Sequence, residues 1–199
     1  VTINIQGFKN MIRNIYFWGD LHLGHSNAYK FPSADGDRNM RSFSSMYACE
    51  KVMVDNYNSI VKDNDIVYFL GDVWLDKKRG PQILKYMKKG SKHLIMGNHD
   101  NKSDINTYIE CFDKIYGVLY LPKIKCILSH VPIHPSFLGP QIHLEGKVRF
   151  DYNIAGHTHD YHIKKEHKKD MRYLNSCVEI VNYRPVTFEQ LKEINLKYV

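Results

Sequence analysis

Long apolar runs are missing from this 199-residue chain. The longest is Ile66-Val67-Tyr68-Phe69-Leu70, far short of the roughly 20 residues a membrane-spanning helix needs. Cysteine is sparse: Cys49, Cys111, Cys126 and Cys177 lie far apart and no Cys-x-x-Cys occurs. That spacing supports neither a zinc knuckle nor a dithiol redox motif, and favours reduced, buried thiols. With 12 glycines and 7 prolines the chain is neither collagen-like nor a linker. No Gly-x-Ser-x-Gly and no P-loop is found, so nothing points to a serine nucleophile or a Walker-type phosphate cradle. The first ten residues lack a basic start followed by an apolar stretch, so a cytoplasmic protein without a membrane partner is expected. The chain opens on Val1, and Met11 directly precedes the first strand-like run. Residues 1–10 are therefore read as an extension ahead of a single domain, 11–199.

What is present describes a folded protein. Hydrophobic residues make up 43% and charged residues 25%, which excludes a disordered chain. Lys plus Arg number 28 against 21 Asp plus Glu, a net charge of +7 that fits an anionic partner (phosphate, nucleotide or nucleic acid) or simply a basic soluble surface. Histidine, at 11, is the unusual count.

Short strands are expected at 14–18, 65–70, 92–96, 118–121, 124–128 and 152–155, with the pair 118–121 and 124–128 forming a hairpin. Residues 161–165 and 171–174 should flank a charged turn, and 185–188 should form a last strand. Helical spacing of Met46, Cys49, Val52, Met53, Tyr57 and Ile60 predicts a helix over 45–61. Others are expected over 80–89 and 104–111, and Thr187-x-x-Gln190 reads as a capping box for a C-terminal helix. Strands alternating with helices, followed mostly by strands, predict one layered α/β domain.

The informative residues follow the strands. The first strand ends in Gly19-Asp20-Leu21-His22, the second in Gly71-Asp72 and the third in Gly97-Asn98-His99-Asp100. Residues 124–128 lead into Ser129-His130, and 152–155 into Gly156-His157-Thr158-His159. Each of five strand ends thus delivers a metal-capable side chain, where α/β sheets collect their ligands. A lone Asp-x-His or His-x-His arises by chance; five in this order, each after a strand, do not. Imidazoles mixed with hard oxygens suit manganese, with iron, zinc, nickel or cobalt as alternatives.

This set resembles the signature of the calcineurin-like metallophosphoesterase superfamily. The resemblance spans residues 20–159 and implies two mixed β-sheets packed as a sandwich flanked by helices, a four-layer α/β/β/α fold. It implies two divalent metal ions, one held by Asp20, His22 and His159, the other by Asn98, His130 and His157, with Asp72 bridging. His99 would contact the leaving group or phosphoryl oxygens, and Asp100 would orient it, both as catalytic residues. The implied reaction is attack on phosphorus by a hydroxide between the metals. The stretch Gly19–His25 with Asn27 is similar to a compact bacterial and phage-associated branch, which implies substrate-binding roles for His25 and Arg41. A loop hydrogen bond and a surface charge are the respective alternatives. His134 is read as a rim position or local structure, and His93, His143, His162 and His167 as surface or packing residues.

The expected function is hydrolysis of phosphate esters, with phosphodiesters of nucleotide or nucleic-acid origin favoured. A phosphomonoesterase acting on nucleotides or phosphoproteins is the alternative enzyme. A nucleic-acid-binding or scaffold protein on the same fold is the non-enzyme alternative. The clusters Lys77-Lys78-Arg79 and Lys164-Lys165-Glu166-His167-Lys168-Lys169 would serve nucleic acid only if they shared the metal face.

Overall fold

The computed structural model describes residues 13–139, 149–165 and 168–197. The expected extension 1–10, and His143 and His167, lie outside them. Strands β1 (Ile15–Trp18), β2 (Ile66–Phe69), β3 (Ser91–Ile95) and β4 (Lys114–Tyr116) form one sheet in that order, all parallel. The first three are joined through helices α1 (Met46–Ile60) and α2 (Arg79–Lys85), and α3 (Ile105–Cys111) leads into β4. Parallel strands are covered on both faces, so β1 and β2 read as continuous apolar runs rather than alternations.

At Gly117 the chain passes to a second sheet of order β10-β7-β6-β5: β5 (Val118–Leu121), β6 (Cys126–Ser129), β7 (Tyr152–Ala155) and β10 (Tyr173–Asn175). This sheet is mixed, with β5 antiparallel to β6 and the rest parallel. Among the described residues, the first sheet gains antiparallel character through a single bridge, Phe17 to Val186. One core draws Phe17, Trp18, Phe69 and Leu94 from the first sheet and Leu128, Ile154 and Leu174 from the second, so the two sheets share their buried faces. Helix α4 (Phe188–Leu196) packs on β1 and β10. All four cysteines are free. No helix among the described residues is long and apolar enough to cross a membrane.

Several expectations shift. Val52 is exposed, so the buried stripe of α1 is Met46, Cys49, Glu50, Met53 and Tyr57. Helix α2 stops at Lys85 because the following residues bond to α1 instead. Asn58 Nδ2 donates to the Tyr86 carbonyl at 2.8 Å, and Tyr57 Oη donates to that of Lys89 at 2.6 Å. The expected partners 161–165 and 171–174 do not pair. Instead β8 (Lys164–Lys165) pairs with β9 (Lys168–Lys169), while β10 joins β7. The strand expected at 185–188 is reduced to the Val186 bridge, because Thr187 already caps α4 with the expected Gln190 box.

Candidate metal centre

Loops that leave the strand ends converge by backbone hydrogen bonding. The segments after β1 and β2 run side by side: Asp20 N–H donates to Gly71 O at 3.1 Å, His22 N–H to Asp72 O at 3.0 Å and Leu23 N–H to Val73 O at 2.9 Å. The Gly156 N–H reaches His130 O at 3.0 Å, which ties the loops after β6 and β7. Asp20, His22, Asp72, His157 and His159 all adopt positive φ, between 47° and 67°, a left-handed conformation that non-glycine residues avoid. Close approach demands glycine at two neighbours. A Cβ on Gly97 would lie 2.2 Å from Asp72 Oδ1, and one on Gly156 would lie 2.2 Å from Asp20 Oδ2.

The two aspartates are built alike. Each has one oxygen anchored and the other aimed at imidazoles. Asp20 Oδ2 accepts the His157 N–H at 2.8 Å and the Cys177 thiol at 3.2 Å. Its Oδ1 has no hydrogen-bond partner and stands 3.9 Å from His22 Nε2 and 4.0 Å from His159 Nε2. Asp72 Oδ1 accepts the His99 N–H at 2.9 Å. Its Oδ2 faces His130 Nε2 at 3.4 Å, His22 Nε2 at 3.9 Å and His99 Nε2 at 4.0 Å. Asn98 Oδ1 lies 2.8 Å from His130 Nε2 and 2.9 Å from His157 Nδ1, so the trio expected at the second ion also meets at one oxygen.

The imidazoles are oriented from behind. His130 Nδ1 faces the Leu70 carbonyl at 2.7 Å, and His159 Nδ1 faces Glu179 Oε1 at 3.3 Å, which turns each Nε2 inward. Burial, with Arg41 and His159 nearby, lowers the His22 pKa to about 3, so this ring is neutral and ready to donate a lone pair. Burial raises Asp20 to about 6, although His159 and His130 pull the other way. For His130, burial acts to lower the pKa. The Asp72 hydrogen bond and the Asp20 and Asp72 charges outweigh it and raise the value to about 9. A cation bound there would take the place of that proton, because only the neutral imidazole has a lone pair to give.

These residues fit a pair of cations. One donor atom each from Asp20, His22 and His159 falls within 4.8 Å of the others, and so does one each from Asp20, Asp72 and His130. The partnerless Asp20 Oδ1 and His22 Nε2 are buried polar atoms of the kind an ion satisfies. Imidazole, carboxylate and amide oxygen together suit first-row divalent metals.

Three sequence-derived assignments are revised or narrowed. Arg41 is fully buried and does not face a substrate: its guanidinium donates to Glu179 Oε1 at 2.7 Å, Leu21 O at 2.9 Å and Asp20 O at 2.6 Å. Asp100 does not hold the His99 ring. Its carboxylate accepts the backbone N–H of Asp72, Gly97 and Val73 and the Tyr108 hydroxyl, fixing the two loops to each other. His25 is bonded within its own loop, where Nδ1 accepts the Asn27 N–H at 3.1 Å and the ring meets Phe31 edge-on. His99 keeps an open ring, its side chain 51% exposed. His134 caps the turn at Pro135–Phe137, and His93 packs between Tyr68 and Tyr116. Of the basic cluster at 77–79, Lys77 pairs with Asp104 at 2.9 Å and Arg79 pairs with Glu50. Glu179 and Cys177 were not foreseen. The only trace of Glu179 in the sequence is an acid set within the apolar run Val178–Val181.

Residues 13–161 match the family model described as calcineurin-like phosphoesterase. An uncharacterized protein of Methanocaldococcus jannaschii is 28% identical over 186 residues, covering 92% of each chain. The gene 66 protein of Mycobacterium phage L5 is 24% identical over 176 residues, covering 77% of this chain and 81% of that protein. The crystal structure of a protein of unknown function from Aquifex aeolicus shares the fold, with a TM-score of 0.63 at 23% identity over 92% of this chain and 99% of that one.

Proposed function

Because this chain belongs to the calcineurin-like phosphoesterase family, we propose that it hydrolyses phosphodiesters at the Asp20–Asp72 centre with two divalent ions, manganese foremost. Asp20, His22 and His159 would hold one ion, Asn98, His130 and His157 the other, and Asp72 would lie between them. A bound pair would supply four positive charges to offset those of the phosphoryl oxygens and would lower the pKa of water. Asp20 and Asp72 return two negative charges. Their anchored oxygens keep the free ones turned inward without reorganisation during the reaction. His99, tied to Asp72 through its own N–H, presents an exposed ring that can donate a proton or hydrogen bond to a departing alkoxide.

The observation that carries the diester preference is the commitment of Arg41. Two ions held by these two carboxylates, with one hydroxide, would bring the centre to about +1, which would match a diester monoanion. A monoester dianion calls for a further cation, and the buried guanidinium beside the centre is spent on Glu179.

The test compares bis(p-nitrophenyl) phosphate with p-nitrophenyl phosphate under added Mn²⁺. The diester is expected to show at least about tenfold higher kcat/KM, a difference of roughly 1.4 kcal/mol in barrier. Asp72→Asn should abolish turnover, and His99→Asn should lower kcat by about 10²–10⁴. A monoesterase reverses the preference, and a scaffold turns over neither compound.

A further inference from the structure

We propose that Glu179 is a positioning residue of this centre, holding His159 in the tautomer that presents Nε2 to a cation. Glu179 lies outside the 13–161 segment that matches the family. Its side chain is 2% exposed and Oε1 serves two groups at once: Arg41 Nε at 2.7 Å and His159 Nδ1 at 3.3 Å. With Nδ1–H donated to a carboxylate, the lone pair of His159 is on Nε2, which faces Asp20 Oδ1. The His159 ring is also stacked on His22, with centroids 5.1 Å apart at 22°. The carboxylate therefore sets the rotation of a ring that lies flat against a second ligand.

Arg41 carries the same brace to the opposite loop. Its two terminal nitrogens donate to the carbonyls of Asp20 and Leu21, within the first ligand motif. Glu179 thus links the two loops that would hold one ion, Asp20–His22 and His157–His159, through contacts remote in sequence. It does not touch Asn98, His130 or His157, which would hold the other. The turn bearing Glu179 is itself fixed. Asn182 and Tyr183 follow at positive φ, Tyr183 O accepts from Asn56 at 2.9 Å, and the Tyr183 ring meets Phe43 edge-on at 4.8 Å. A purely structural ion pair would affect both ions alike; a positioning role predicts a loss confined to one.

The proposal rests on the metal-centre reading above. Mn²⁺ binding to the metal-free full chain is measured by calorimetry, and the visible absorption of the Co²⁺-loaded chain reports ligand geometry. Wild type should bind two ions. Glu179→Gln should weaken one by about 10- to 100-fold, leave the other unchanged and alter the Co²⁺ spectrum. In a His159→Asn background the Glu179 substitution should have no further effect, since the two would act through one ring. The double variant Arg41→Gln/Glu179→Gln removes both buried charges together and carries the test if the single variant fails to fold. Equal weakening of both ions, unchanged affinities, or a Glu179 effect that persists without His159 would overturn the proposal. A wild-type chain that binds no ion overturns both this and the metal-centre reading, whereas two-ion binding untouched by Glu179→Gln overturns this one alone.

Discussion

Asp20 and Asp72 show how a carboxylate is held as a candidate ligand: one oxygen is bound to backbone N–H and the other faces a ring of imidazoles, without a hydrogen-bond partner in Asp20 and against His130 in Asp72. The backbone at five of the candidate ligand residues is left-handed, a state that costs about 1–3 kcal/mol for each. It persists because neighbouring loops over-determine it. The glycines are part of the same device. Gly156→Ala places a methyl 2.2 Å from Asp20 Oδ2, against a carboxylate that cannot yield without losing the His157 N–H. The expected result is a Mn²⁺ affinity lower by at least about tenfold, measured by calorimetry, with about 1–3 kcal/mol of overpacking strain in the metal-free fold. At this scale the cluster of candidate donors was legible, because their types and order repeat after each strand. Glu179 was not, because a single acid gains meaning only from what it faces. The surroundings of Asp100 were not legible either: adjacency to His99 in sequence says nothing about which backbone N–H groups surround its carboxylate.

Elements with an internal signal were well placed and those defined by partners were not. Helix α1 was visible from its apolar spacing, and α4 from its capping box. Thr187 Oγ1 accepts the Gln190 N–H while Gln190 returns the bond to the Thr187 N–H at 3.0 Å. Thr187→Ala should cost about 1 kcal/mol, seen as a lower urea midpoint with an unchanged slope. The same cap explains why 185–188 is not a strand: once Thr187 opens a helix, only Val186 remains to bridge Phe17. Strand β4 escaped notice because three residues carry no usable period; its identity comes from pairing with β3. The end of α2 was misplaced because Asn58 and Tyr57 on α1 take up the carbonyls of Tyr86 and Lys89.

For the whole molecule, a site assembled from loops after five strands exists only in the folded state, so a cation that binds it must stabilise the fold. Mn²⁺ at about 100 times its dissociation constant should add about 2.7 kcal/mol, a rise of about 5–10 °C in the melting temperature. Asp72→Asn should erase that rise while still folding, and a melting curve with and without the ion reads both. The sequence by itself determined the chemistry: short apolar strands, each followed by a carboxylate, amide or imidazole, declare which donors are available and that they belong to an α/β layer. Tertiary structure decided what those donors face. Burial and hydrogen-bond geometry depend on segments distant along the chain, so only folding could turn Arg41 away from a substrate and onto Glu179, or seat Glu179 behind His159.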